Sequence, residues 1–367
     1  MKKVICIFGT RPEAIKMVPV IRELKKYSAN CEVTICVTAQ HREMLDQILS
    51  EFDLKPDIDL NLMQDNQALD TLTANSIKLL SKVIMDVNPH LVLIQGDTTT
   101  AMAAALVGFY KKVAIGHIEA GLRTNNMYNP FPEEINRRII SILSTYNFAP
   151  TKKAQEALLK EGINKETIFL TGNTIVDALN MIINKKKDSN LKFLSALERK
   201  KIILVTAHRR ENFGKPLENI CYALKEIAEK NSDVEIIYPV HLNPNVRSTV
   251  YSILNNLERI HLLSPVDYSE FIRILSRCYL VLTDSGGIQE EAPVLGKPVL
   301  VLRNETERSE GIEANVAKLV GTDSDTIIKN IEILLKNPHE YEKMSKTATL
   351  YGDGRASERI VNIILNK

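Results

Sequence analysis

The chain has 367 residues, 44% hydrophobic and 25% charged, an ordinary globular composition with room for about two domains. Lys and Arg number 47 against 45 Asp and Glu, a formal net charge of +2, so no basic excess speaks for nucleic acid as the main partner. No run of about 18 apolar residues offers a transmembrane helix, and the absence of Trp with 5% aromatic residues means that a bound sugar would be held mainly by polar groups.

The first residues, MKKVICIFGTRPEAIK, resemble a signal peptide only briefly. Arg11, Glu13 and Lys16 interrupt the apolar run, so a buried first strand is the better reading and a cytoplasmic location the expectation. Strands are predicted at 4–9, 33–38, 91–97, 113–120, 146–151 and 167–172, with amphipathic helices between them such as 14–26 and 71–87. A second series of strands follows at 202–208, 234–240, 259–265, 279–285, 297–303 and 317–322, with helices at 218–230 and 269–278. Apolar strands alternating with helices imply parallel sheets covered on both faces. The fold class is therefore α/β, with two Rossmann-like doubly wound domains facing a cleft. The expected boundaries are 1–172 for the first domain, 173–200 for a linker rich in Lys and Asn, and 201–352 for the second domain. A final helix near 353–367 is expected to pack back on the first domain. The five cysteines, Cys6, Cys31, Cys36, Cys221 and Cys278, form no CxxC and read as buried reduced thiols.

Polar motifs fall just after strands, where open α/β sheets bind ligands. Gly9-Thr10-Arg11-Pro12-Glu13 leads into a helix carrying Lys16, and its N-terminus is expected to offer N–H groups to an anion. It is not GxGxxG, no acid follows the second strand, and no GxxxxGK[ST] occurs, so NAD and P-loop nucleotides are disfavoured. Asp97 ends the strand in QGDTTT. In HIEAGLRT, alternation places His117 and Glu119 on one side. In PFPEEINRR, Glu133 and Arg137 share a helix face. Asp97, Glu119 and Glu133 thus form a candidate set of carboxylates for proton transfer. In the second half, TAHRRENFG carries His208 and two arginines suited to an anion. Ser285-Gly286-Gly287 opens a helix as a phosphate cradle. Glu291 in that helix could accept both hydroxyls of a ribose. His241 follows a strand and reads equally as a core histidine. No histidines or acids have metal-ligand spacing.

Taken in order, GTRPEAIKM, TAQHREML, QGDTTT, HIEAGLRT, PFPEEINRR, TGNTIVDAL, TAHRRENFG, YPVHLNPNV, SPVDYSEF, TDSGGIQEEAP and GKPVLVLRNETERSEG closely resemble the non-hydrolysing UDP-N-acetylglucosamine 2-epimerases of bacterial type, over about 3–322. The resemblance implies the glycosyltransferase-B fold, a homodimer, and interconversion of UDP-N-acetylglucosamine and UDP-N-acetylmannosamine without metal or NAD cofactor. It implies loss of UDP across C1–C2 to give 2-acetamidoglucal, then re-addition, with the product serving surface polysaccharide. By motif, Arg11 and Lys16 look like contacts to the nucleotide-sugar. Asp97, Glu119 and Glu133 are similar to the acid/base set, with Arg137 supporting. His208 looks like a diphosphate contact, and Phe271 falls where the family packs against or contacts the uracil. Ser285, Gly286 and Gly287 resemble the phosphate cradle, Glu291 the ribose clamp and Arg308 a further substrate contact. Some family members bind a second UDP-N-acetylglucosamine as activator through a TAQH-type loop with a second Gln and a later Arg. Here Gln40 is followed by Glu43 and segment 64–67 has no Arg, which leaves Gln40, His41, Glu43 and His241 as candidate positions. A hydrolysing epimerase and a glycosyltransferase of the same fold are the alternatives.

Overall fold

The structure, a computed structural model, describes residues 1–39, 42–62, 67–184, 193–306, 308–346 and 349–367. Gln40, His41, the Glu43 side chain, 64–66 and 185–192 in the centre of the expected linker lie outside the described residues. The chain divides into two compact units, Met1–Met181 with Tyr351–Lys367, and Ile182–Leu350.

The first unit is built on seven parallel strands: β1 (Lys2–Phe8), β2 (Cys31–Val37), β3 (Ile58–Asp59), β4 (Leu91–Gln95), β5 (Ala114–Ile118), β6 (Tyr146–Ala149) and β7 (Ile168–Leu170), in the order β3-β2-β1-β4-β5-β6-β7. Buried Val, Ile and Leu runs such as LVLIQ in β4 can sit only where helices cover both faces. Ile5 and Ile7 of β1 pack under helices Leu69–Val87 and Thr99–Tyr110. Helix Arg11–Lys25 packs against the final helix, Ala356–Asn366. Lys2 Nζ ties that last helix down, donating to the Ile364 carbonyl at 2.6 Å.

The second unit carries six parallel strands: β8 (Lys201–Thr206), β9 (Val234–Pro239), β10 (Ile260–Leu263), β11 (Leu280–Thr283), β12 (Val299–Val301) and β13 (Ala317–Leu319), in the order β10-β9-β8-β11-β12-β13. Both sheets are doubly wound. Strand order reverses between β1 and β4 in one and between β8 and β11 in the other, the switch points where such sheets take ligands beyond their carboxyl ends.

All twelve strands expected from the sequence have counterparts. The two-residue edge strand β3 is an addition, too short to show any periodicity. Helix Arg11–Lys25 begins three residues before the predicted 14–26, because Pro12 fits the first turn of a helix. All five cysteines are buried and unpaired. Burial pushes the thiols of Cys36, Cys221 and Cys278 up to about 12, which keeps them unreactive. Among the described residues no helix is long and apolar enough to cross a membrane.

Candidate active site

In the first unit, two buried cations face two carboxylates at strand ends. Lys16, one turn into helix Arg11–Lys25, forms an ion pair with Glu119, and both side chains are about nine-tenths or more buried. Glu119 follows β5 with φ at +69°, a left-handed conformation uncommon for a residue with a side chain. Asn173, after β7, donates from Nδ2 to Glu119 Oε2 at 3.2 Å. Asp97, at the end of β4, is paired with Arg137, whose other arm reaches Glu134 at 3.1 Å. The Asp97 side chain keeps 26% of its surface exposed while Arg137 keeps 4%. The carboxylate is thus part-open to solvent while its cation is enclosed.

Two expectations change here. In the turn 9–13 the Gly9 and Thr10 amides are not left for an anion. The Glu13 carboxylate itself accepts from the Gly9 and Thr10 amides, at 3.0 and 2.8 Å, and from Thr98 Oγ1 at 2.7 Å. Thr98 in turn caps helix Thr99–Tyr110, so Glu13 joins the turn after β1 to the one after β4. Next, His117 does not line a ligand space beside Glu119. It is fully buried with Nε2 2.7 Å from the Gly96 carbonyl, and burial drives its pKa down to about 3. The left-handed turn at Glu119 breaks the alternation that paired the two. In the PEEINRR segment the fully buried acid is Glu134, which accepts from the Thr124 and Asn125 amides and from Arg137 and Arg138. Glu133 is part-exposed at the start of helix Glu133–Leu143, and Arg11 is part-exposed at the start of its own helix.

Glu13 yields a pH prediction. Burial raises its carboxyl to about 6 from an ordinary 4.5. A raised acid binds more protons folded than unfolded, so this group's contribution to stability falls as pH rises from about 4.5 to 6 and is fully favourable only below that window. In urea unfolding, wild type relative to Glu13→Gln is expected to gain about 2 kcal/mol at pH 4.5 compared with pH 7. An unchanged difference between the two pH values would remove the assignment.

The second unit gathers its polar groups around Asp284, which is fully buried after β11. Asp284 Oδ2 accepts from the His208 and Arg209 amides, both at 2.8 Å, and from Asn212 Nδ2 at 3.1 Å. His208 Nδ1 lies 3.3 Å from Asp284 Oδ1. The His208 ring stacks on His241 with centroids 5.4 Å apart and planes 12° off parallel. Burial, and then the neighbouring His208, lower the pKa of His241. The sequence placed these histidines in different roles; β8 and β9 are neighbours, and their ends bring the rings together.

Ser285, Gly286 and Gly287 open helix Gly286–Val294, and the Ser285 side chain does not cap it. A Cβ built on Gly287 would meet nothing within 4 Å, so a ligand can approach the first-turn amides. Glu291 is buried, not a surface acid, and accepts from the Tyr268 hydroxyl at 2.9 Å. Phe271 is also buried, one turn beyond Tyr268 in helix Tyr268–Arg277. Arg308 Nε donates to the buried Glu290 at 3.1 Å, and Thr306 Oγ1 to Gln289 at 2.6 Å. The stretch after β12 is thereby folded onto helix Gly286–Val294. Among the described residues no group of three or more His, Cys, Asp or Glu is placed to hold a metal ion.

Two doubly wound parallel sheets, each with charged groups at its switch point, define a ligand-binding α/β protein of the doubly wound class. Residues 22–365 match the family model described as UDP-N-acetylglucosamine 2-epimerase. The chain is 52% identical over 375 residues to the UDP-N-acetylglucosamine 2-epimerase of Campylobacter jejuni, covering 100% of this chain and 98% of that one. The crystal structure of the Neisseria meningitidis enzyme bound to UDP-GlcNAc superposes with a TM-score of 0.92 at 47% identity, covering 100% of both chains. The Methanocaldococcus jannaschii enzyme, in complex with UDP-GlcNAc and UDP, does so with 0.85 at 35% identity, again over 100% of both. The chain belongs to the UDP-N-acetylglucosamine 2-epimerase family.

Proposed function

We propose that the protein interconverts UDP-N-acetylglucosamine and UDP-N-acetylmannosamine without net hydrolysis. The observation that carries this is the pair of strand-end carboxylates, Asp97 and Glu119, each backed by a buried cation. A carboxylate takes the C2 proton while the C1–O bond to the β-phosphate breaks, leaving a C1–C2 double bond in 2-acetamidoglucal and free UDP on the enzyme. A proton then returns to the other face of C2 and the diphosphate oxygen re-forms the bond to C1. No water is consumed. Asp97, Glu119 and Glu133 share the proton work, with Arg137 and Lys16 compensating charge. The open helix N-terminus at Gly286 and Gly287, with His208 and Arg308, receives the diphosphate. Arg11 adds positive charge for it, Glu291 holds the ribose, and Phe271 lies against the base.

Proton NMR in deuterated water tests the reading. UDP-N-acetylglucosamine alone is expected to acquire deuterium at C2 as the manno epimer grows in. Stoichiometric release of UDP and free N-acetylmannosamine would instead establish the hydrolysing reaction. The same reading makes the product a donor of N-acetylmannosamine units for surface polysaccharide, checked by loss of that sugar from the glycan of a strain lacking the protein. Exposed apolar side chains on adjoining helices of the first unit, Met85, Phe109, Tyr110 and Ile142, support a homodimer, which sedimentation velocity checks.

A further inference from the structure

The chain leaves the first unit through helix Thr174–Ile183 and re-enters it at Tyr351. Within the first unit these two stretches are bonded to each other at several points. The Asn173 amide donates to the Tyr351 carbonyl at 2.6 Å. Asp177 accepts from the Ala356 and Ser357 amides at 3.2 and 2.8 Å, and from the Ser357 hydroxyl at 2.5 Å. Gly172 and Gly352 lie so close that a Cβ on Gly352 would come within 3.2 Å of the Gly172 Cα.

Asn173 stands at the head of this junction and is 3% exposed. Each of its polar groups has a separate task. The backbone N–H holds the returning chain, Oδ1 accepts from the Ile175 amide at 3.0 Å, and Nδ2 is left to donate to Glu119. Glu119 is held from two directions, by the Lys16 ammonium from helix Arg11–Lys25 and by the Asn173 amide from the end of β7. An ammonium rotates freely and fixes charge more than direction, whereas a planar amide anchored through its own oxygen fixes direction. The left-handed backbone at Glu119 makes such an external hold necessary.

We propose that Asn173 is a positioning residue, which aims the Glu119 carboxylate and couples its orientation to the returning segment at Tyr351. This rests on the reading that Glu119 serves the C2 proton. If the hold on Glu119 is lost, the carboxylate drops out of line for proton transfer while nucleotide binding, which belongs to other residues, is spared. Misplacement of a reacting group by about 1 Å can cost on the order of 100-fold in rate.

Asn173→Asp is the informative variant. It keeps the size, the backbone bond to Tyr351 and an oxygen for the Ile175 amide, but replaces the donor to Glu119 with a second carboxylate. The expected result is a kcat for epimerisation lowered roughly 100-fold at pH 8, with KM within about threefold of wild type. Part of the loss should return on lowering the pH, as one of the facing carboxylates takes a proton and becomes a donor. Asn173→Ala should lose rate without that recovery. A crystal structure of Asn173→Asp should show the Glu119 carboxylate displaced. Wild-type kcat in Asn173→Asp, or Glu119 unmoved, overturns the proposal. If the wild type itself shows no exchange at C2, the functional reading fails instead, and the position of Glu119 in the variant still decides whether Asn173 aims it.

Discussion

Asp97→Asn is expected to slow deuterium incorporation at C2 about a thousandfold, the middle of the range for losing a general acid or base. The substitution keeps the size of the side chain, and Arg137 keeps its second partner, Glu134. The Asp97 carbonyl still accepts from Asn136 Nδ2 at 2.9 Å, so the turn after β4 stays in place. What disappears is a basic oxygen on a side chain that is part-open to solvent while its cation is enclosed. The loss should therefore appear in kcat, with KM changed only a few-fold, as for an interaction that matters in the transition state. Rates from progress curves at saturating UDP-N-acetylglucosamine check it. A decrease under tenfold would take Asp97 out of the proton-transfer set.

The second large effect is on stability. Asp284→Ala removes one carboxylate that satisfies two backbone amides and the Asn212 side chain at the switch point of the second sheet. Buried donors left without an acceptor cost about 1–3 kcal/mol each, reduced where water can follow the lost side chain. A loss of about 4 kcal/mol is expected, and about half that for Asp284→Asn, which retains an accepting oxygen. UDP affinity should fall with it, because the segment bearing His208 and Arg209 is no longer pinned. The chain has no Trp, so far-UV circular dichroism in urea is the practical probe. A loss under about 1 kcal/mol would show that the 208–212 segment is held by something else.

The architecture was legible because each β-branched run is short, apolar and bounded by a turn, and parallel sheets leave little else for such runs to be. The site was legible down to its strand ends and no further. Thr10-x-x-Glu13 is a capping-box spacing, and that signal could have revealed that the first turn closes on its own acid. Glu133 and Glu134 stand next to each other, and a helix turns about 100° per residue, so the one that faces inward depends on where the helix begins. The helix there begins at Glu133, after Pro132, and Glu134 is the one enclosed. His117 was misplaced because strand alternation holds only as far as the strand, and β5 ends at Ile118. Asn173 and Asp177 lie in the TGNTIVDAL motif, but nothing local shows what they bond. Their partners, Tyr351 and Ser357, are about 180 residues away.

That separation also sets the order in which the molecule can be finished. Domains generally fold as they leave the ribosome, amino-terminal part first. Here the first unit is begun first and completed last. The helix that covers Arg11–Lys25 and fills the Asp177 carboxylate is made only after the whole second unit has been synthesised. Until residues 351–366 arrive, the nascent first unit exposes the apolar side of helix Arg11–Lys25 to solvent, and Asn173 lacks the carbonyl that anchors it. An unfinished chain would therefore carry Glu119 and Asn173 without the Tyr351 carbonyl that receives the Asn173 amide.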